Sequence, residues 1–169
     1  MSGALDIDRD ATVRAIWAAG REPKDLVLAR DVHLNVVLLA GRSLDVIEEL
    51  CRAEGISHQQ YVALWTLCLA EDAESGMPLG AIADGLLTRA SDITRLVDRL
   101  ERAGLVERLA NPADRRSVLV RATADGQRVF AAVTPKVQEF HRGQWSKLSR
   151  DELRTLHALL GKAMWGSES

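Results

Sequence analysis

Cysteine is nearly absent from this chain: its 169 residues hold two, Cys51 and Cys68. Two thiols do not make a disulfide framework. Histidine is sparse as well, and His33, His58, His141 and His157 are scattered with no metal-ligand spacing. No apolar run approaches the roughly 18 residues that would span a bilayer; Val36-Val37-Leu38-Leu39-Ala40 is far too short. The first residues carry Asp6, Asp8 and Asp10 rather than a positive region ahead of an apolar stretch, which argues against a secretory signal. There is no G-x-S-x-G, no phosphate-cradling glycine loop and no H-E-x-x-H. The expectation is a soluble, cytoplasmic protein that is not an enzyme and holds no cofactor or metal.

A large excess of one charge is missing too: 22 Lys and Arg stand against 24 Asp and Glu, a net of -2. The distribution says more. Residues 1–76 hold 7 basic and 13 acidic side chains, a net of -6, whereas residues 88–121 hold 8 and 5, a net of +3. A locally basic segment inside an acidic chain is a modest electrostatic footprint for nucleic acid. The plain alternative is a solvated helix face. The length suits one ordinary domain with a real core.

That basic segment is also the best patterned. Ile93, Leu96, Val97 and Leu100 fall at i, i+3, i+4 and i+7, one apolar stripe at helical spacing. The opposite face carries Ser91, Asp92, Thr94, Arg95, Asp98, Arg99 and Arg102, and Gly104 stops the helix. Upstream, Leu79, Ile82, Ala83 and Leu86 make a shorter stripe behind Met77-Pro78, which suits a helix start. Residues 87–90 are left as the connection. Downstream comes a strand-like run from Leu105 to Leu109 and the turn Asn111-Pro112-Ala113-Asp114. Arg115 and Arg116 follow, and a strand returns from Ser117 to Arg121. Two short helices, a tight turn and a basic two-stranded hairpin make a winged helix-turn-helix. Its second helix, about Ala90 to Ala103, is the one that enters a DNA major groove.

Asp114-Arg115-Arg116-Ser117-Val118-Leu119-Val120 has the form D-x-R-x-x-x-V, and Thr123-Ala124-Asp125-Gly126 follows it. With Thr94 to Glu101 and Gly104 to Arg108 before them, these motifs resemble the MarR family of bacterial transcription regulators. The resemblance runs in order from about residue 31 to about residue 165. It implies a mainly α fold with a small β-hairpin wing: a winged helix-turn-helix joined to a helical dimerisation domain. It also implies a homodimer on a palindromic operator in double-stranded DNA, a ligand-responsive repressor, with half-sites about one helical turn apart.

The remaining segments take their places around this head. Residues 1–30 read as an N-terminal extension, with a short helix within Asp8 to Gly20 and a break at 20–24. Residues 31–56 and 124–166 read as the dimerisation region, and 57–123 as the DNA-binding domain. The helix expected over 31–54 has two apolar stripes, one through Leu34, Val37, Leu38 and Gly41 and one through Val32, Val36 and Leu39. A helix apolar on two sides must be covered on two sides, and a second subunit is the natural cover. Ser57 with Gln60 and Ser149 with Glu152 fit capping boxes. Thr123 caps a long helix to about Trp145, which Pro135 should kink or break.

For DNA contact, Arg95 and Arg99 stand first, since a guanidinium can grip guanine O6 and N7 or a phosphate. Pairing with Asp92, Asp98 or Glu101 along the helix is the alternative. Ser91 and Thr94 suit phosphate or base edges, Asp92 a cytosine amino group or a helix cap, and Thr88 and Arg89 adjoin them in the connection. The resemblance places Arg116 in a minor groove, with Arg115 beside it and Asp114 supporting the wing; Arg115 and Arg116 could exchange roles. It also implies an aromatic or phenolic effector between the dimer helices and the head, where His33, Val37, Tyr61 and Trp65 would line the site. Trp17 resembles the tryptophan of a urate-responsive subgroup, but that subgroup's acid on the second core helix is Val62 here. Core packing is the alternative for Trp65. Peroxide-sensing members carry a cysteine near the start of the dimer helix, whereas Cys51 lies near its end and Cys68 in an apolar run, where thiols are usually inert. A zinc sensor assembled in space from His, Cys and Glu is a further alternative. The rival to the regulator as a whole is a ligand-binding or protein-interaction module of the same fold without DNA binding.

Overall fold

The computed structural model describes residues 24–86, 93–114 and 117–166. Its elements are α1 (Lys24–Arg52), α2 (His58–Cys68), β1 (Met77–Pro78), α3 (Leu79–Gly85), α4 (Ile93–Arg102), β2 (Val106–Ala110), β3 (Val118–Ala122), α5 (Ala124–Gln144) and α6 (Arg150–Trp165). The chain divides into two units, Met1–Ser43 and Leu44–Ser169.

The first unit is described through the amino-terminal part of α1. This helix starts at Lys24, seven residues before the expected start at 31. The correction has a simple cause: Pro23 is the last proline ahead of residue 31, and nothing between Lys24 and Arg30 opposes helix. Both apolar stripes of this part are uncovered, with Leu28, Val32, Val36, Val37 and Leu39 all exposed. The short helix expected within residues 8–20 lies outside the described residues.

The second unit holds the core. Ile93, Leu96, Val97 and Leu100 of α4 are buried. They share one cluster with Tyr61, Ala63, Leu64 and Leu67 of α2, Ile82 of α3, Val106 and Val120 of the sheet, and Val133 and Val137 of α5. The last turns of α1 add Ile47 and Cys51. Each large side chain taken wholly out of water contributes about 1.5–3 kcal/mol, so the stripe on α4 is what seats that helix.

Local signals set the element ends. Gly104 has φ 71°, and the bonds from Leu105 N to Leu100 O and from Gly104 N to Glu101 O, both 2.9 Å, close α4 in a Schellman motif. Ser57 and Ser149 each form the full capping box with Gln60 and Glu152. Thr123 caps α5 by accepting from Gly126 N. Pro135 does not break α5, which is continuous from Ala124 to Gln144. Thr134 Oγ1 donates to Phe130 O at 2.7 Å one residue before it.

The wing differs from the expected two-stranded hairpin. The sheet has three antiparallel strands in the order β1-β3-β2. Met77 pairs with Val120 and Pro78 with Leu119, so the dipeptide read as a helix start is an edge strand whose Pro78 then leads into α3. An edge is where a residue without an N–H costs the ladder least. β2 and β3 pair from Val106 with Ala122 to Ala110 with Val118, each strand one residue later than expected. Gly76, at φ 77°, lets the chain pass the Val120 carbonyl, where an added Cβ would sit 3.1 Å from that oxygen.

Candidate nucleic-acid interface

Because α4 buries one stripe, its remaining surface is presented to solvent. Thr94, Arg95, Arg99 and Arg102 are exposed there and Asp98 is half-buried. At about 100° per residue, the three arginines fall within about 60° of one another and Asp98 and Glu101 fill the neighbouring flank. The helix therefore has a basic side and an acidic side.

Two of the acids that could compete for the arginines, Asp98 and Glu101, are held by a residue outside the helix. Arg108 on β2 reaches back with both guanidinium nitrogens. Nη2 donates to Asp98 Oδ1 at 2.6 Å, and Nη1 donates to Glu101 Oε2. The hydrogen bond to Asp98, and then the charges of both acids, raise the Arg108 pKa further. Neither Arg95 nor Arg99 has an ion-pair partner among the described residues. Arg102 Nε donates to the Asp98 backbone carbonyl at 3.1 Å.

The wing has its own ties. Asn111 Nδ2 donates to Ser117 Oγ at 2.6 Å, and Asn111 Oδ1 accepts from Ala113 N at 3.0 Å. Asp114 is exposed, and its carbonyl accepts from Ser117 N at 3.0 Å and from Ser117 Oγ. Arg121 donates to Glu107 Oε1 at 2.7 Å and to the Glu74 carbonyl at 3.0 Å; the hydrogen bond to Glu107, then its charge, raise the Arg121 pKa. These contacts hold β2, β3 and the 71–76 turn as one piece.

Thr88, Arg89, Ser91, Asp92, Arg115 and Arg116, and Trp17 of the effector set, lie outside the described residues. Thr94, Arg95 and Arg99 come together on one exposed surface. His33 and Val37 are exposed and belong to the first unit. Tyr61 is buried, stacked on Phe130 with ring centroids 6.1 Å apart, and its hydroxyl lies 3.4 Å from Thr134 Oγ1. Trp65 is 47% exposed, so it is not core. Sequence reasoning missed Arg108 and the Asn111–Ser117 pair. A signal for the first was present: Arg108 shares a strand face with buried Val106, which aims its stem at the core and its head at the neighbouring helix.

The cysteines are poorly placed for redox chemistry. Burial, and then the Glu48 carboxylate, push the Cys51 thiol up to about 11, and burial raises Cys68 as well. His58 is shifted down by burial, against an opposing pull from Glu48. Among the described residues no three His, Cys, Asp or Glu side chains gather as a metal site, and no helix is long and apolar enough to cross a membrane.

A family model described as MarR family matches residues 56–118. The uncharacterized HTH-type transcriptional regulator YsmB of Bacillus subtilis is 30% identical over 139 residues, 82% of this chain and 92% of that protein. The HTH-type transcriptional regulator PecS of Dickeya dadantii is 32% identical over 128 residues, 76% of this chain and 75% of that protein. Against MarR of Escherichia coli the identity is 41% over 73 residues, 43% of this chain and 51% of that protein. The structural likeness reaches further. The crystal structure of a mutant MarR from E. coli complexed with operator DNA superimposes with a TM-score of 0.69 at 27% identity, over 83% of this chain and 96% of that one.

Proposed function

The chain belongs to the MarR family of DNA-binding transcription regulators, and from that premise we propose that it acts as a homodimeric, ligand-responsive repressor on a palindromic operator. The observation that carries the reading is the pair of exposed arginines, Arg95 and Arg99, on a helix whose acids are already paired with Arg108. Each subunit lays α4 in a major groove. Arg95 and Arg99 read base edges, Thr94 a phosphate, and Thr88, Arg89, Ser91 and Asp92 flank them. Arg115 and Arg116 take the adjacent minor groove, with Asp114 holding the turn between them and β2.

The uncovered apolar surface supports the dimer. α6 has no buried residue, and Leu159, Met164 and Trp165 are 60–78% exposed. The stripes of α1 leave further large apolar side chains in water, and such surfaces mark interaction sites. A second copy offers the same surfaces and covers them by symmetry. The two-fold axis then sets half-sites one helical turn apart. A small aromatic or phenolic effector changes the spacing of the two α4 helices, and the half-exposed Trp65 is the aromatic that the second unit offers to it. A differential affinity of a few kcal/mol releases the DNA. Acting on DNA, the protein works in the cytoplasm.

The test is fluorescence polarisation with a duplex selected by the wild-type protein from a random pool, beside a scrambled duplex, at two salt concentrations. Salt-sensitive preference for the selected duplex, weakened and relaxed by Arg95→Ala, is the expected result. Equal binding of both duplexes by the wild type overturns the operator reading. Unaltered discrimination in Arg95→Ala removes that residue from base reading.

A further inference from the structure

We propose that Arg108 is a positioning residue for DNA recognition: by forking onto Asp98 and Glu101 it masks the acidic flank of α4 and keeps Arg95 free for DNA. The proposal rests on the reading that Arg95 on α4 contacts the duplex.

The geometry gives Arg108 this role rather than that of another phosphate contact. Its side chain is 26% exposed, less than either acid it serves, at 43% for Asp98 and 40% for Glu101. Both of its terminal nitrogens are engaged, one per carboxylate. A planar guanidinium can make this fork, whereas a lysine ammonium is a point charge on a flexible stem. The residue sits on the strand that follows the helix, so the same fork links α4 to the wing.

Removing the fork has a foreseeable consequence within the helix. Asp98 lies three residues after Arg95 and four before Arg102, and both spacings bring opposite charges together on a helix surface. With Arg108 present, the Asp98 carboxylate is occupied and Arg95 has no ion-pair partner among the described residues. Without Arg108, Asp98 draws in Arg95 or Arg102 from the basic side. Glu101 meanwhile stands unpaired beside the groove and repels phosphate. Binding is weakened twice, by a lost cation and by an exposed anion, with no DNA contact having been deleted.

The pattern also explains why two acids are tolerated on a helix that meets a polyanion. Arg108 neutralises one of their two charges from outside the helix and holds both carboxylates, as a cation that the interface does not use.

The experiment measures affinity and salt slope for the selected duplex with five proteins: wild type, Arg108→Gln, the double variant Asp98→Asn/Glu101→Gln, the triple variant Asp98→Asn/Glu101→Gln/Arg108→Gln, and Arg95→Ala. Arg108→Gln is expected to bind on the order of tenfold more weakly, with a slope shallower by about one phosphate per half-site. The triple variant has no free carboxylate to capture Arg95, and is expected to recover to within about threefold of wild type. Because the triple variant carries one more net positive charge per subunit than wild type, the double variant is its proper reference. Under masking the double and triple variants bind alike, whereas a direct contact leaves the triple weaker than the double by the factor that separates Arg108→Gln from wild type. Arg108→Gln binding as tightly as wild type overturns the proposal, and so does a triple variant as weak as Arg108→Gln. If Arg108→Gln alone fails to fold, the triple variant against the double variant still decides, since a direct contact leaves the triple weaker and masking leaves the two alike. Arg95→Ala separates the two levels: unchanged binding in that variant sinks the interface reading itself, whereas weakened binding beside an unaffected Arg108→Gln sinks only the role of Arg108.

Discussion

Gly126→Ala isolates the joint between the reading helix and the helix that follows the wing. In an ordinary helix this change stabilises, by about 1 kcal/mol, because alanine has the higher propensity. Here a Cβ on Gly126 would lie 2.0 Å from the Leu105 carbonyl oxygen, 3.0 Å from its carbonyl carbon and 3.2 Å from Leu64 Cδ2. Relief means parting two backbones by on the order of 1 Å to restore an ordinary contact distance. That carbonyl already accepts from Thr123 N at 3.0 Å, and Thr123 Oγ1 donates to the Gly104 carbonyl at 2.6 Å. Overpacking costs about 1–3 kcal/mol, and loosening the two hydrogen bonds about 1 kcal/mol each. Against the propensity gain, a net loss of about 2–4 kcal/mol remains, or about 5–15 °C in Tm for a chain of this length. The assay is thermal unfolding at fixed protein concentration, since a dimer's Tm depends on it. Gly143→Ala, in the last turn of the same helix with nothing within 4 Å of its Cβ position, is the control and should leave Tm level or slightly raised. A Tm for Gly126→Ala at or above wild type refutes the reasoning, because propensity would then have outweighed the contact.

Cys51 gives a pH prediction. Its thiol ionises at about 11 in the fold against 9.0 ordinarily, so the neutral form's contribution is complete below about 9 and is lost as pH rises through 11. The effect is on the order of 2 kcal/mol, and urea midpoints between pH 8.5 and 11 should fall more steeply for wild type than for Cys51→Ala; parallel curves speak against it. Ending the chain before Arg150 removes α6, none of whose residues is fully buried in its own chain; light scattering should then show a folded monomer, and a persistent dimer would misplace the interface. Arg116→Ala should weaken DNA binding and reduce the salt slope by about one phosphate per half-site; an unchanged slope means that the residue touches neither phosphate nor groove.

How much of this was legible follows from the range of each interaction. The recognition helix was readable because its stripe repeats at helical spacing, and all four residues of that stripe are buried. The capping boxes at Ser57 and Ser149, the threonine cap at 123 and the stop at Gly104 were readable because donor and acceptor lie within a few residues of each other. The start of α1 was misplaced by seven residues because an uncovered apolar helix has no partner surface to mark its boundary. Trp65 was open to a core reading because an aromatic in an apolar run has the same pattern whether or not a neighbour covers it.

Local periodicity, charge placement and turn chemistry thus determined by themselves a mainly α chain with a winged reading head and a basic helix face. Tertiary structure alone decided what lies opposite what. Met77-Pro78 became a third strand because Val120 and Leu119 come alongside it, and two residues are too few to show a strand's alternation. Arg108 meets Asp98 and Glu101 from ten and seven positions away, across a helix stop and into a strand, a separation at which no residue spacing records a contact. Gly126 is required by a carbonyl 21 positions earlier in the sequence. Contacts within a helical turn are written in spacing; contacts that close a loop depend on where the folded backbone brings its ends.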